Sequence, residues 1–207
     1  MDFLVLGLPK MIPENDHIRR LLSVIASNND QIAYKELFLL LHGRLKQFAY
    51  SILKSNEEAE ELVSDIFIRI WQKREQLTAI DTPLFYFYTT VKNLAINRLK
   101  KQKRQINLSD DDWLVQLNSI YFDPEKIMIT EEMVRQITKA VNDLPPRCRL
   151  IFKLIKEDGL KYKETAELLQ LSVKTIEAQM AIALRRIAKC MHFEIKNISQ
   201  PHFIIKK

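Results

Sequence analysis

The sequence predicts an all-α protein: two small helical domains joined by an acidic linker, the C-terminal one a four-helix unit containing a helix-turn-helix. Three observations support this prediction. Glycine is rare, with three residues among 207. Apolar residues recur at spacings of three and four, which is typical of amphipathic helices, and no sustained alternation typical of strands is found. The charge changes abruptly after Arg104, where an acid-rich stretch separates two segments with helical patterning.

Two helices are predicted before residue 54, one near residues 17–27 and a longer one near residues 31–53. Apolar residues at intervals of three or four form a single stripe along the second helix. The stripe consists of Leu37, Leu41, Leu45, Phe48 and Ile52. We interpret it as core.

A third helix is predicted from Ser55 to about residue 76. Ser55 is a favourable N-cap, and Glu58 follows three residues later, the spacing of a capping box. Its predicted core side is Ala59, Leu62, Val63, Ile66 and Ile70, with Phe67 at the edge.

The opposite side of this third helix carries one apolar residue, Ile68, among polar ones. Asp65 lies beside it on the same face and Trp71 flanks it, so the patch has the composition of an anchor for another protein. A lone exposed isoleucine also occurs on ordinary surfaces and needs no functional explanation.

A fourth helix is predicted from Pro83, which suits a first helical turn, to about Arg104. Its predicted core side is Leu84, Phe87, Tyr88, Val91, Ala95 and Leu99. Its opposite side holds an aromatic ring, hydroxyls, amides and a cation, a combination that can stack on unpaired bases and bind their edges. These residues are Tyr86, Thr89, Thr90, Asn93, Asn97 and Lys100.

The same stretch ends in cations with no acid among them: Lys92, Arg98, Lys100, Lys101, Lys103 and Arg104. Such a strip repels itself unless a polyanion lies along it, and the net charge of +6 points the same way. The alternative is an ordinary amphipathic helix with a solvated basic end and its aromatic residues in the core.

Residues 105–130 are predicted to be the acidic linker. The C-terminal unit then begins with a helix over residues 131–144 that ends at Pro145-Pro146. The next helix starts at Pro146 and is terminated by Gly159. A short helix over residues 162–169 and a last helix from Val173 are joined by a turn at Gln170-Leu171-Ser172, and Ser172 caps the last helix, which predicts a helix-turn-helix.

The predicted outward face of the last helix alternates cations with small residues: Lys174, Ala178, Ala181, Arg185 and Lys189. Small residues between cations allow close approach to the major groove of DNA. The alternative is a helical hairpin with a solvated face.

The sequence shows none of the familiar patterns of catalysis. Cys148 and Cys190 are too few and too far apart for a disulfide framework or a zinc site, and the four histidines are scattered. There is no glycine-rich phosphate loop, no nucleophile motif and no apolar run long enough to span a membrane. We expect a cytoplasmic protein that is not an enzyme and has no cofactor or metal.

Three stretches resemble bacterial RNA polymerase sigma factors of the extracytoplasmic function (ECF) type, in the sigma-70 superfamily. They are AEELVSDIFIRIW at 59–71, LFYFYTTVKNLAINRLKKQKR at 84–104, and LPPRCRLIFKL with YKETAELLQLSVKTIEAQMAIALRRI in the C-terminal unit. Their order and spacing match the family over residues 16–191. The resemblance implies a region 2-like domain at 16–104 and a region 4-like domain at 131–191, flanked by an extension at 1–15 and a tail at 192–207.

The resemblance also implies a role for each surface. Core polymerase, through its β′ clamp helices, would bind Glu61, Asp65, Ile68, Trp71 and Gln72. The −10 promoter element would be opened and bound by Tyr86, Lys92, Asn93, Asn97, Arg98, Lys100, Lys101 and Arg104, with a base-reading turn near Asn93. The −35 element would be bound by Lys174, Thr175, Ala178, Gln179, Arg185, Arg186 and Lys189.

The partners implied by the resemblance are core RNA polymerase, including its β subunit, double- and single-stranded promoter DNA, and an anti-sigma factor. Two other interpretations are open at this point. A transcriptional regulator could use the helix-turn-helix without being a polymerase subunit, and a helical enzyme could use the basic face for an acidic substrate.

Overall fold

The computed structural model describes residues 15–102 and 131–190, and within them it confirms the all-α prediction: helices joined by turns, with no strand. Most of the predicted extension, the whole predicted linker and the predicted tail lie outside the described residues. The helices are α1 (Asn15–Asn28), α2 (Gln31–Leu53), α3 (Asn56–Gln72), a 3₁₀ helix (Arg74–Ala79), α4 (Pro83–Gln102), α5 (Glu131–Asn142), α6 (Pro146–Lys156), α7 (Tyr162–Leu169) and α8 (Val173–Cys190).

The N-terminal unit, α1 to α4, is built around α2, which packs against α1, α3 and α4. The predicted stripe of α2 is buried throughout. Asp30 begins this helix, because its carboxylate accepts hydrogen bonds from the backbone N–H groups of Ile32 and Ala33 at 2.7 and 2.9 Å. The predicted bounds of α2 are confirmed.

Helix α3 begins as predicted, with the Ser55 hydroxyl accepting from the Glu58 backbone N–H at 3.2 Å. It ends earlier than predicted, at Gln72 instead of about residue 76, because Lys73 leaves the helical conformation and a 3₁₀ helix follows. Phe67 was also placed wrongly at the edge of the core. It is 1% exposed, since α2 supplies the Tyr34 and Phe38 rings and α4 the Phe87 ring against it.

The C-terminal unit, α5 to α8, is held together by α8, which packs against α5, α6 and α7. The predicted turn chemistry is confirmed. Gly159 follows α6 with φ of 85°, and Gln170 follows α7 with φ of 54°. The Ser172 hydroxyl then accepts from the Thr175 backbone N–H at 3.0 Å and starts α8. The α7–turn–α8 segment is therefore the predicted helix-turn-helix.

The two units are in contact. Helix α4 packs against α7, and the buried apolar side chains of both units form one continuous cluster. Polar side chains of α2 and α6 also meet at this boundary. The outer faces of α3 and α8, by contrast, carry exposed residues.

Candidate nucleic-acid interface

The outer face of α3 presents the predicted apolar anchor to solvent. Ile68 is 53% exposed. Glu61 and Gln72 are also exposed, and Asp65 is half-buried. Trp71 is partly covered by other residues of the chain. Its ring meets the Tyr34 ring edge-on, with 5.0 Å between the ring centroids, and the Arg74 guanidinium lies over the Trp71 ring, 5.1 Å from its centroid. The accessible part of this face is therefore Ile68 with a rim of acids and amides.

Arg98 connects this face with α4. Its guanidinium lies 3.0 Å from the Glu61 carboxylate and 3.9 Å from Asp65, and it donates to the backbone carbonyl of Glu58 at 3.2 Å. One cation assigned to DNA is thus paired with two acids assigned to the polymerase. The α4 cations are therefore partly neutralised by acids of α3, which the sequence of α4 alone does not indicate.

The outward side of α4 carries the base-binding chemistry predicted for it. Tyr86 is 43% exposed, and Asn93 and Asn97 are both exposed. Lys100 and Lys101 follow near the end of the helix, also exposed, while Arg104 lies outside the described residues. The base-reading turn predicted near Asn93 is wrong, because α4 is continuous from Pro83 to Gln102.

Lys92 was placed wrongly on the exposed cationic strip. Its side chain is 8% exposed, and its ammonium group donates to the backbone carbonyl of Leu168, in α7, at 2.8 Å. The helical register explains the error. Lys92 follows Tyr88 by four residues and precedes Ala95 by three, and both of these face inward.

The outward face of α8 is as predicted. Its cations and small residues are exposed: Lys174, Ala178, Ala181, Arg185, Arg186 and Lys189. Two other residues predicted for this face, Thr175 and Gln179, make hydrogen bonds within the chain. The Thr175 hydroxyl is 2.8 Å from that of Ser172, and half-buried Gln179 accepts a hydrogen bond on its backbone carbonyl from the Cys148 thiol at 3.3 Å.

A polar cluster at the boundary of the two units was missed by the sequence analysis. It consists of Arg44 and Gln47 from α2, Tyr88 from α4, and Lys153, Glu157 and Asp158 at the end of α6. One sequence signal for it exists. Lys153 interrupts the apolar run at 150–155, and a lone cation in a buried run needs a partner.

Burial dominates the electrostatics of this cluster. It raises the pKa of Glu157 to about 7, against the opposing effect of the Lys153 ammonium 3.4 Å away. It also raises the pKa of Asp158, opposed first by the Arg44 guanidinium and then by the Tyr88 hydroxyl. The Tyr88 pKa is raised well above its usual value by burial and by the Asp158 carboxylate.

Neither a metal site nor a membrane span is found in the described ranges. No group of three or more histidine, cysteine or acidic side chains is arranged to hold a metal ion in residues 15–102 and 131–190. Within those same ranges, no helix combines the length and the apolar character required to cross a membrane.

Two family models match the chain. The model for sigma-70 region 2 matches residues 37–105, and the model for sigma-70 region 4 matches residues 134–187. Together the matches span more than half of the chain, in the order that the sequence analysis assigned. The region 2 match disfavours a regulator that acts without the polymerase.

Curated relatives agree with these matches. The ECF RNA polymerase sigma factor SigW of Bacillus subtilis is 24% identical over 158 residues, which cover 73% of this chain and 84% of SigW. The ECF RNA polymerase sigma factor SigK of Mycobacterium tuberculosis is 20% identical over 191 residues, which cover 89% of this chain and 97% of SigK.

A solved structure is also similar: the sigma factor RpoE in complex with the anti-sigma factor NepR from Bartonella quintana. It shares 20% identity and a TM-score of 0.47 over 78% of this chain and 98% of RpoE. The region 2 and region 4 matches and the full-length relatives establish the family. The chain belongs to the sigma-70 family, in its ECF type, whose members are the sigma subunits that bring core RNA polymerase to promoter DNA.

Proposed function

We propose that this sigma factor divides its work among three surfaces: α3 binds core polymerase, α4 captures unpaired bases of the −10 element, and α8 binds the −35 duplex. The distribution of exposed chemistry supports this division. Helix α3 exposes the apolar side chain of Ile68. Helix α4 exposes the Tyr86 ring and two asparagine amides, and α8 exposes cations separated by small residues.

The α3 surface fits a protein partner because its centre is apolar and its rim polar. Ile68 is the exposed centre, and the Glu61 and Gln72 side chains surround it. A central apolar side chain that becomes fully desolvated typically contributes much of the binding energy of an interface. We assign the clamp helices of β′ as the partner.

Replacing Ile68 and Trp71 together with Ala should weaken association with core polymerase by about 100-fold or more. Helical content should be retained, because Ile68 is exposed and Trp71 lies at the edge of the core. Surface plasmon resonance with core polymerase measures the affinity and circular dichroism the helicity. A matched control is Ile32→Ala, an 80% exposed isoleucine of α2. Equal weakening by the control, or unchanged affinity of the double variant, would place the interface elsewhere.

The α4 surface fits single-stranded DNA because its exposed groups are a ring and two amides. Tyr86 can stack on a base, and Asn93 and Asn97 can bind base edges. Capture of bases on such a surface offsets the few kcal/mol lost when the duplex unstacks. The α8 surface instead fits an intact duplex, with cations for phosphates and guanine edges.

The same proposal covers the domain bounds, the cellular compartment and the control of the protein. The region 2-like domain would comprise residues 16–104 and the region 4-like domain residues 131–191, with residues 105–130 linking them. The protein would work in the cytoplasm, perform no covalent chemistry of its own, and be controlled by an anti-sigma factor, as the family resemblance implies.

The exposed position of Ile68 between the acids and amides of α3 is the observation that carries the proposal. Run-off transcription from fragmented bacterial DNA tests it, using core polymerase free of its own sigma subunit, with and without this chain. Discrete transcripts that depend on the chain are expected, and their upstream sequences would identify both promoter elements. Binding of the chain to DNA without any transcript would contradict the proposal.

A further inference from the structure

Helix α8 carries one acid among its four cations. Glu177 is the acidic residue of this helix, and its side chain is exposed. Lys174 lies three residues before it and Ala181 four residues after it, spacings that make neighbours on a helix surface. Ala178 lies between Lys174 and Ala181 on the same surface, and all of these side chains are exposed. The face proposed to bind the −35 duplex therefore includes a carboxylate.

The ordinary roles of a surface acid do not account for Glu177. It is the fifth residue of α8, beyond the first turn in which the helix dipole favours an acid. The position four residues later, where a cation would stabilise the helix, holds Ala181. With the other residues in 15–102 and 131–190, the Glu177 carboxylate forms neither an ion pair nor a hydrogen bond.

The helix-turn-helix places this carboxylate beside a neutral group. Tyr162 begins α7 and is 37% exposed. Burial raises the pKa of the Tyr162 hydroxyl, and the Glu177 carboxylate raises it further. The phenol is therefore protonated and neutral near pH 7, and it does not neutralise the carboxylate. Glu177 presents an unpaired negative charge on the surface of the helix-turn-helix.

A carboxylate on a DNA-binding helix weakens binding unless it meets a hydrogen-bond donor. Phosphates repel it whatever the sequence. In the major groove guanine presents two acceptors, and thymine presents an acceptor and a methyl group. Adenine presents a donor with the N7 acceptor beside it, whereas cytosine presents the N4 amino donor alone. Cytosine is thus the base that a carboxylate favours.

The place of Glu177 in the fold suits contact with a base edge. In a helix-turn-helix, the residues that contact bases lie towards the N-terminal end of the second helix. Glu177 lies in the second turn of α8. Ala178 and Ala181 have no side-chain atoms beyond Cβ, so this part of the helix can approach the groove closely enough for Glu177 to reach a base.

We propose that Glu177 determines specificity for the −35 element: its carboxylate accepts a hydrogen bond from the N4 amino group of one cytosine in the major groove. The inference rests on the proposed function of α8 and adds the base that this helix reads. The same carboxylate weakens binding to sequences that lack the cytosine, so it contributes to specificity by repulsion as well as by attraction.

Three variants separate the reading of a base from the loss of a charge. Glu177→Ala removes the acceptor. Glu177→Gln replaces it with an amide, which pairs with the N6 and N7 atoms of adenine. Glu167→Gln neutralises an exposed acid of α7 and is the matched control. Both positions are exposed, so the fold should be retained, which circular dichroism checks.

The first measurement is the selection of −35 sequences by holoenzyme assembled from core polymerase and the full chain. A promoter found by run-off transcription is given a randomised −35 element, and the bound fragments are recovered and sequenced. Native holoenzyme should enrich cytosine at one position by about tenfold. Glu177→Ala should reduce this enrichment to less than about twofold, and Glu177→Gln should shift it to adenine. Glu167→Gln should retain the cytosine.

The selection also distinguishes failure of this inference from failure of the proposed function. Clear base preferences in the −35 element that neither Glu177 variant changes would overturn the role of Glu177 and leave the role of α8 intact. An equal loss of the cytosine in Glu167→Gln would likewise overturn it. Recovery of random −35 sequences by native holoenzyme would contradict both the role of Glu177 and the proposed function of α8.

The second measurement tests the hydrogen bond itself. The selected cytosine is replaced by N4-methylcytosine, which still pairs with guanine but places a methyl group on the major-groove side of its amino group. Methylation should weaken binding of native holoenzyme by about tenfold. It should weaken binding of the Glu177→Ala holoenzyme by less than about twofold, because the acceptor is already absent. An equal loss in both would show that another side chain contacts the amino group, and the assignment would be wrong.

Discussion

Helices α4 and α8 have similar sequence patterns but use their cations differently. Both combine an apolar inward side with a cationic outward one. On α8, Lys174, Arg185 and Lys189 remain exposed. On α4, Lys92 is bonded to the Leu168 carbonyl and Arg98 is paired with acids of α3.

The difference shows that counting cations does not distinguish two modes of DNA binding. The accessible centre of α4 is neutral, with Tyr86, Asn93 and Asn97, and suits bases more than phosphates. The exposed charge of α8 suits the phosphates of a duplex. We therefore expect removal of side chains from the two helices to affect different steps and to differ in salt dependence.

The largest effect is expected on α4. Replacing Asn93 and Asn97 with Ala should reduce promoter opening by about 100-fold or more, because each missing amide pair with a base edge costs about 1–3 kcal/mol. The salt dependence of opening should stay unchanged, since both side chains are neutral. Permanganate reactivity of unpaired thymines in the −10 element, with core polymerase present, measures the opening.

Asn28→Ala, at an exposed position in the last turn of α1, is the control for this pair and should open promoters normally. Normal opening by the double variant would contradict base capture on α4. A reduced salt dependence would instead indicate that the helix works mainly through phosphates.

A smaller effect with the opposite salt signature is expected on α8. Replacing Lys174, Arg185 and Lys189 with Ala should weaken binding to a −35 duplex by about tenfold or more at 0.15 M salt. The slope of log affinity against log salt should become shallower by about 0.9 for each phosphate that the variant no longer neutralises. Fluorescence anisotropy over a salt series measures both quantities.

Lys139→Ala, at an exposed position of α5, tests whether removing any positive charge has the same effect. It should leave both affinity and slope close to the native values. An unchanged slope in the triple variant would show that the cations of α8 do not contact phosphates, and the distinction between the two helices would fail.

The sequence predicted most of the fold because helical periodicity and capping are local. The bounds of α2 and α7 and the Ser55 and Ser172 caps all follow from a few neighbouring residues. The outward faces of α3 and α8 followed from the same periodicity.

Side-chain partners were less predictable because they depend on distant parts of the chain. Lys92 and Leu168 are 76 residues apart, and Lys153 and Gln47 are 106 apart. The inward register of Lys92 was visible in the sequence, but nothing local identified an acceptor in α7. Phe67 became fully buried because α2 and α4 contribute rings on both sides of it, which α3 alone did not indicate.

The smallest expected effect is on the pH dependence of stability, and it comes from Glu157 in the C-terminal unit. Burial raises the pKa of Glu157 from 4.5 to about 7, with Lys153 and Arg44 opposing the rise and Asp158 adding to it. The folded chain therefore retains a proton that the unfolded chain has already released between about pH 4.5 and 7. Since the unfolded state binds fewer protons in that range, the free energy of unfolding should fall as pH rises through it.

Glu157→Gln removes this titration. It should flatten the decline in unfolding free energy between pH 5 and 8 by about 2–3 kcal/mol, since one pKa unit corresponds to about 1.4 kcal/mol. Urea unfolding followed by circular dichroism at several pH values measures it. Glu167→Gln, at an exposed position of α7, should retain the native decline. If the Glu157 variant declined as steeply as the native chain, Glu157 would be ionised within the fold and would form a full ion pair with Lys153.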